Sequence, residues 1–253
     1  MADTLSDIGQ AFQLILSGNP EIYGIVSRSL FFSGTAVILA ILWGTPIAML
    51  IAMKEFRGKT IIKTIFSTLI GLPTVVLGLI LFLIFSKGGP LGFLGLLYTP
   101  GAIIIGQAIL VTPILVSIGV SSIESVDPEI MSLAQTLGAS ESQAQIAVLK
   151  EAINGIILSD LASFNRAIGE LGVVLMVGGN IAGGGNRTDV ITTSIARDVQ
   201  ISEIGLAVAL GILLVIILFT INIIVVILRR ANYLVELAKG PYFKLKRSRE
   251  AKK

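Results

Sequence analysis

The chain contains no cysteine and no histidine. Those two absences exclude disulfides, thiol nucleophiles, imidazole-ligated haem, Ser-His and Cys-His catalysis and the common zinc sites. Charge is scarce as well: Asp, Glu, Lys and Arg make up 14% of the 253 residues, against 54% hydrophobic, and the mean hydropathy is +0.91. Such values lie far outside ordinary soluble domains and define an all-α polytopic membrane protein. No basic residue precedes Arg28, so the start lacks the charged region of a secretory signal. The pI is near 9.2, but the Lys and Arg residues gather in the loop after the first apolar run and in the tail, a topology signal rather than a nucleic-acid footprint.

What is present is a series of long apolar runs. Residues 1–29 are weakly amphipathic, with Ile8, Phe12, Ile15 and Leu16 at helical spacing, and form an N-terminal interfacial segment outside the membrane. Five spans are expected, at 30–53, 61–85, 101–120, 156–177 and 204–228, within a membrane domain covering 30–228. The second carries Gly71, Pro73 and Gly78, and the third carries Pro113, where a kink is expected. The fourth is the least apolar because it holds Asp160, Asn165, Arg166 and Glu170. Residues 229–253 form a basic tail suited to acidic headgroups. Gly58-Lys59-Thr60 ends like a phosphate-binding loop, but Met53 occupies the first glycine position and no strand precedes it.

Between the third and fourth spans lies a polar stretch, DPEIMSLAQTLGASESQAQIAVLKEAING, at 127–155. Asp127 caps a helix whose first residue is Pro128, and Gly138 falls where a left-handed C-terminal cap is expected, so the first helix ends near Leu137. Ser140 and Gln143 have capping-box spacing, which starts a second helix expected to run to about Ala152. The product is a helical hairpin cornered on Gly138, Ala139 and Ser140. If it is cytoplasmic, five spans put Lys54, Arg57, Lys59, Lys63, Lys150 and the basic residues of the tail inside, and only Arg28, Lys87, Arg187 and Arg197 outside. The positive-inside rule favours that orientation, with the N-terminus out and the C-terminus in.

SLAQTLGAS followed by AVLKEAINGII resembles the EAA loop of permease subunits of type I ATP-binding-cassette importers, in which the loop forms a coupling helix docked on the ATPase. Gly138 matches the loop's central glycine and Ala134 one of its alanines, whereas Ser132 stands where glutamate is usual and Lys150 where proline often follows Leu149. GLPTVVLGL at 71–79, GGPLGFLG at 88–95, YTPGAIIIGQ at 98–107 and RAIGELG at 166–172 are similar to segments of molybdate, tungstate and sulfate permeases, and MVGGNI with TDVITTSIARDV is most like the tungstate branch. The resemblance implies a type I ABC importer transmembrane domain in the cytoplasmic (inner) membrane. It implies ATPase coupling through Ala134, Gln135, Thr136, Leu137, Gly138, Ala139 and Ser140. The implied partners are cytoplasmic ATPase subunits, an extracytoplasmic substrate-binding protein and a second permease copy. It implies no catalytic site, cofactor or metal in this chain, and transport of tungstate or, as the alternative, molybdate or sulfate.

An oxyanion in transit must exchange its hydration for donors without being held fast, a demand that hydroxyls, backbone amides and helix ends meet better than a buried arginine cluster. Arg166 and Glu170 are four apart and, on a continuous helix, share one face, so they are expected to turn inward as a pair, either locking the bundle or contacting substrate. Asp160 and Asn165 are expected near the cytoplasmic entrance of that span, and GGGN at 183–186 as a flexible external turn or a set of backbone donors. A secondary transporter driven by an ion gradient is the competing class. The sequence shows no internal repeat for it, and only Asp160 and Glu170 are carboxylates within a span. A membrane enzyme would need a nucleophile and base constellation that is not found.

Overall fold

The structure is a computed structural model that describes residues 2–183 and 187–250, with side chains over 6–183 and 187–229. Ten α-helices follow one another among the described residues, without a strand. They are α1 (Ala2–Leu16), α2 (Pro20–Met53), α3 (Lys59–Leu69), α4 (Thr74–Phe85), α5 (Pro100–Glu124), α6 (Pro128–Thr136), α7 (Glu141–Ile168), α8 (Gly172–Gly178), α9 (Ile191–Gln200) and α10 (Ile204–Glu250). The chain divides into two units, one up to Leu214 and one from Val215. Residues 184–186 of the GGGN turn lie outside the described residues, as do the side chains of the basic tail beyond Arg229.

Three helices, α2, α5 and Ile204–Arg229 of α10, are long and apolar enough to cross a membrane, and the bent pairs α3–α4 and α7–α8 supply two more crossings if each pair is one span. Several boundaries differ from the sequence expectation for identifiable reasons. The first span begins at Pro20 rather than at residue 30: Asn19 accepts from the Glu21 amide and Pro20 opens the helix, so no break separates the polar start from the apolar run. The second expected span is no straight helix. Gly71, Leu72 and Pro73 stop α3, and α4 leaves at 98° to it. The second hairpin helix does not stop at Ala152 but continues as α7 to Ile168, since Ala152, Ile156, Ser159 and Ser163 are already buried on one stripe and nothing there breaks the ladder. Pro113 is tolerated inside α5, buried in its middle.

The direction of each helix can be read from the core. One cluster joins Phe32 of α2, Leu77 and Leu81 of α4, Ala102 and Ile103 of α5, and Val173 and Val177 of α8. A second, in the middle, joins Ala36 and Ala40, Val111 and Leu115, and Ala167. A third joins Ala48 and Ile51, Val120 and Ile123, and Val148 and Ala152, with Ile62 and Phe66 of α3 packed against it. Along α2 and α5 the residue numbers rise from the first cluster to the third. Along α3–α4 and α7–α8 they fall. The four crossings therefore alternate, and the loop after α2, the start of α3 and the α6–α7 hairpin share one end of the bundle. Lys59 and Lys63 tie that end together by reaching Glu124 at 3.4 and 2.6 Å.

Candidate functional site: a capped hairpin at one end of the bundle

The hairpin's shape follows from its caps. The Asp127 carboxylate accepts from the Glu129 amide at 2.9 Å and Pro128 fills the first helical position, so the start of α6 is closed. At its end the Gly138 amide donates to the Gln135 carbonyl at 2.9 Å and the Ala139 amide to the Ala134 carbonyl at 3.0 Å, the paired bonds of a Schellman ending. Gly138 sits at φ +89°, a left-handed conformation that needs glycine or tolerates asparagine. Ser140 then opens α7 with a reciprocal capping box: its amide donates to Gln143 Oε1 at 2.9 Å, and its hydroxyl accepts from the Gln143 amide at 3.4 Å. The backbone turns through Leu137 to Ser140 with all four of its amides bonded.

This corner has its side chains outward. None of the nine residues of α6 is buried, and Leu133 and Leu137, one helical turn apart, are 61% and 79% exposed. Gln135, Thr136, Gly138 and Ser140 are exposed, and Ala134 and Ala139 half-buried. Fully burying one exposed leucine is worth about 1.5–3 kcal/mol, so the area these two still expose offers a gross gain of roughly 2–4 kcal/mol to whatever covers it. The base of the hairpin is anchored by a tight crossing: a Cβ on Gly155 of α7 would fall 2.4 Å from the Ser122 hydroxyl of α5. Small residues there bring the two helices together and fix where the corner projects.

Arg166 and Glu170 are brought together, though not on one helix face. α7 ends at Ile168, and Glu170 lies in the break before α8. The Arg166 guanidinium pairs with Glu170 Oε2, while Glu170 Oε1 accepts from the Val173 amide at 3.0 Å at the start of α8. The Glu170 carbonyl accepts from the Thr192 hydroxyl of α9 at 2.6 Å. With Glu170 only 2% exposed, its carboxylate ties α7 to α8 across their 57° bend, and its carbonyl adds α9. Asp160 is half-buried, with one carboxylate oxygen that finds no partner among the described residues. Asn165 has a polar interaction of its own.

Sequence reasoning missed a second buried carboxylate network. Asp189 is fully buried; its side chain pairs with Arg28 of α2 at 2.5 Å and with Arg187 at 3.4 Å, while its carbonyl accepts from Arg28 Nε at 3.1 Å. Asp198 of α9 is fully buried against Arg197. The signal was the amphipathic spacing of ITTSIARDVQ, whose polar Thr193, Ser194 and Asp198 face inward rather than outward. No cluster of three or more carboxylates able to hold a metal occurs among the described residues.

An all-helical bundle of alternating crossings, two of them broken, that holds out a capped polar hairpin at one end has the form of a transporter's membrane subunit. The model for binding-protein-dependent transport system inner membrane components matches residues 44–232, and the chain belongs to that family. The chain is 37% identical over 215 residues to the tungstate uptake system permease protein TupB of Peptoclostridium acidaminophilum, covering 85% of this chain and 93% of that protein. It is 37% identical over 200 residues to a probable anion ABC transporter permease of Haloferax volcanii, covering 78% and 86%. An amino acid ABC transporter structure shares the fold with a TM-score of 0.63 at 18% identity, covering 87% of this chain and 97% of that one. The fold is that of ABC importer permeases, and the family is an inner-membrane one.

Proposed function

We propose that this chain is the pathway-forming permease of an ATP-driven oxyanion importer, with tungstate as the transported ion. The observation that carries the proposal is the end-to-end likeness to a tungstate uptake permease, 93% of which is covered. The hairpin end faces the cytoplasm because the basic residues Lys54, Arg57, Lys59 and Lys63, in the loop after α2 and the start of α3, lie at that end. ATPase subunits dock on the corner from Ala134 to Ser140, where Leu133 and Leu137 offer the apolar anchor. A second copy completes the pathway, and a binding protein delivers the ion from outside. The chain itself supplies no catalytic group to hydrolysis; it converts the ATPase's movement, received at α6, into rotation of α7 and of the bend that Glu170 holds.

The test is uptake of labelled tungstate into vesicles holding permease and ATPase, with ATP inside and the binding protein outside. Unlabelled tungstate is expected to compete at lower concentration than molybdate, and molybdate at lower concentration than sulfate. Preferential competition by molybdate or sulfate would move the substrate to that ion while leaving the class intact.

A further inference from the structure

Between α3 and α5, beside Lys63 of the Lys63–Glu124 ion pair, lies an open cavity of about 290 Å³, floored by Ile51, Phe66, Val116 and Val120 and bordered by the exposed Thr60, Thr64, Ser67 and Ser121. With a water occupying about 30 Å³ of liquid, it has room for a tetrahedral oxyanion and several waters of its shell. Its polar lining is Thr60, Lys63, Thr64 and Ser67 from α3, at positions that share one helix face, and Ser117 and Ser121, one turn apart on α5. Apart from Lys59 and Thr68 the rest of α3 is apolar: Ile62 and Phe66 pack against the core, Phe66 also lining the cavity, while Ile61 and Ile65 are 65% and 51% exposed. A helix with one face for lipid and one for its neighbours has placed its hydroxyls on a third, toward the cavity.

The donors are available. Thr64 and Ser121 hydroxyls bond to carbonyls four residues back in their own helices, whereas among the described residues the hydroxyls of Thr60, Ser67 and Ser117 make no protein hydrogen bond. Lys63 uses one of its three N–H groups on Glu124. Since Lys59, Lys63, Glu55 and Glu124 neutralise one another at the rim, the site offers hydrogen bonds without net positive charge. That combination suits an anion that must bind and then leave.

We infer that this cavity is a transit site for the transported tetrahedral oxyanion on the cytoplasmic side of the pathway. The inference rests on the importer reading above. A phospholipid phosphate has the same chemistry, and the test separates the two sources.

Because the native permease has no cysteine, Ser67→Cys and Ser117→Cys each create a single labelling site. The permease–ATPase complex carrying either change is reacted in phosphatidylcholine vesicles with a sulfonate-bearing thiosulfonate and with its quaternary-ammonium counterpart, and modification of the permease band is followed. Tungstate at millimolar concentration is expected to slow the reaction by about threefold or more, as occupancy of a weak site requires, while chloride at equal ionic strength does not. The anionic reagent is expected to outpace the cationic one. Labelling that tungstate leaves unchanged, in a complex that still imports tungstate with ATP, overturns the transit site and leaves the importer reading standing. Protection that appears only when phosphatidylglycerol is added, with or without tungstate, assigns the cavity to lipid and overturns it equally. Failure of the cysteine-free complex to import tungstate would instead remove the importer reading on which the inference rests.

Discussion

Gly138 is the residue on which the hairpin's direction turns. A Cβ there would meet nothing within 4 Å, so the cost of substitution is the backbone's own, about 1–3 kcal/mol for a left-handed non-glycine residue and highest for a β-branched one. Gly138→Val is therefore expected to lower tungstate accumulated per ATP hydrolysed several-fold while the spans insert normally, and Gly138→Asn, which tolerates this conformation, to retain most coupling. Equal transport by the valine variant would show that the corner carries no load. Glu170 makes the other residue-scale prediction. Removing Arg166 alone strands a carboxylate that is 2% exposed and costs about 3 kcal/mol, the lower end of the range because Arg166 is itself 34% exposed. Arg166→Leu is expected to lower the thermal stability of the solubilised complex more than the double change to leucine, whereas both variants lose transport. Unimpaired transport by the double variant would show that the pair is dispensable.

At the scale of elements, α7 is a single helix from the exposed cap at Ser140 to the buried end at Ile168, and the proposed function makes it the lever. It bears on α5 through Gly155 and Ser122, and the packing there is close enough for a compensating pair. Gly155→Ala is expected to impair assembly and transport, and Ser122→Gly in the same chain to restore much of both, because it removes the atoms 2.4 and 2.5 Å from the new methyl group. No impairment by Gly155→Ala would mean that the crossing tolerates movement, and impairment without rescue would mean that Ser122 is not what the new methyl group meets. The caps of this hairpin were legible in the sequence, since Asp127, Pro128, Gly138, Ser140 and Gln143 act through hydrogen bonds to their own neighbours. The length of α7 was not, because what carries it past Ala152 is burial of Ile156, Ser159 and Ser163 against other helices. The α3–α4 bend was not legible as a bend: Gly71 and Pro73 read as irregularities that one continuous span would tolerate, whereas the 98° turn is set by what α3 packs on. Buried Asp189 could not be read locally, as its partner Arg28 is 161 residues away.

For the whole molecule, alternation of the crossings from α2 to α8 puts the hairpin and the basic stretch from Lys54 to Lys63 at one end, and the apolar clusters fill the bundle between its two ends. Under the proposed function, the pathway moves only when something outside the membrane moves α6. An ion-gradient transporter would instead need its own charge-coupling groups, and this bundle commits its buried Glu170 and Asp189 to arginines. The most direct measurement is accumulation of labelled tungstate in vesicles containing the permease with and without its ATPase subunit, ATP being supplied inside and loaded binding protein outside. The account predicts accumulation that requires the ATPase, ATP and the binding protein together and stays unchanged when ion gradients are collapsed. Accumulation by the permease alone, driven by a proton or sodium gradient, would contradict it.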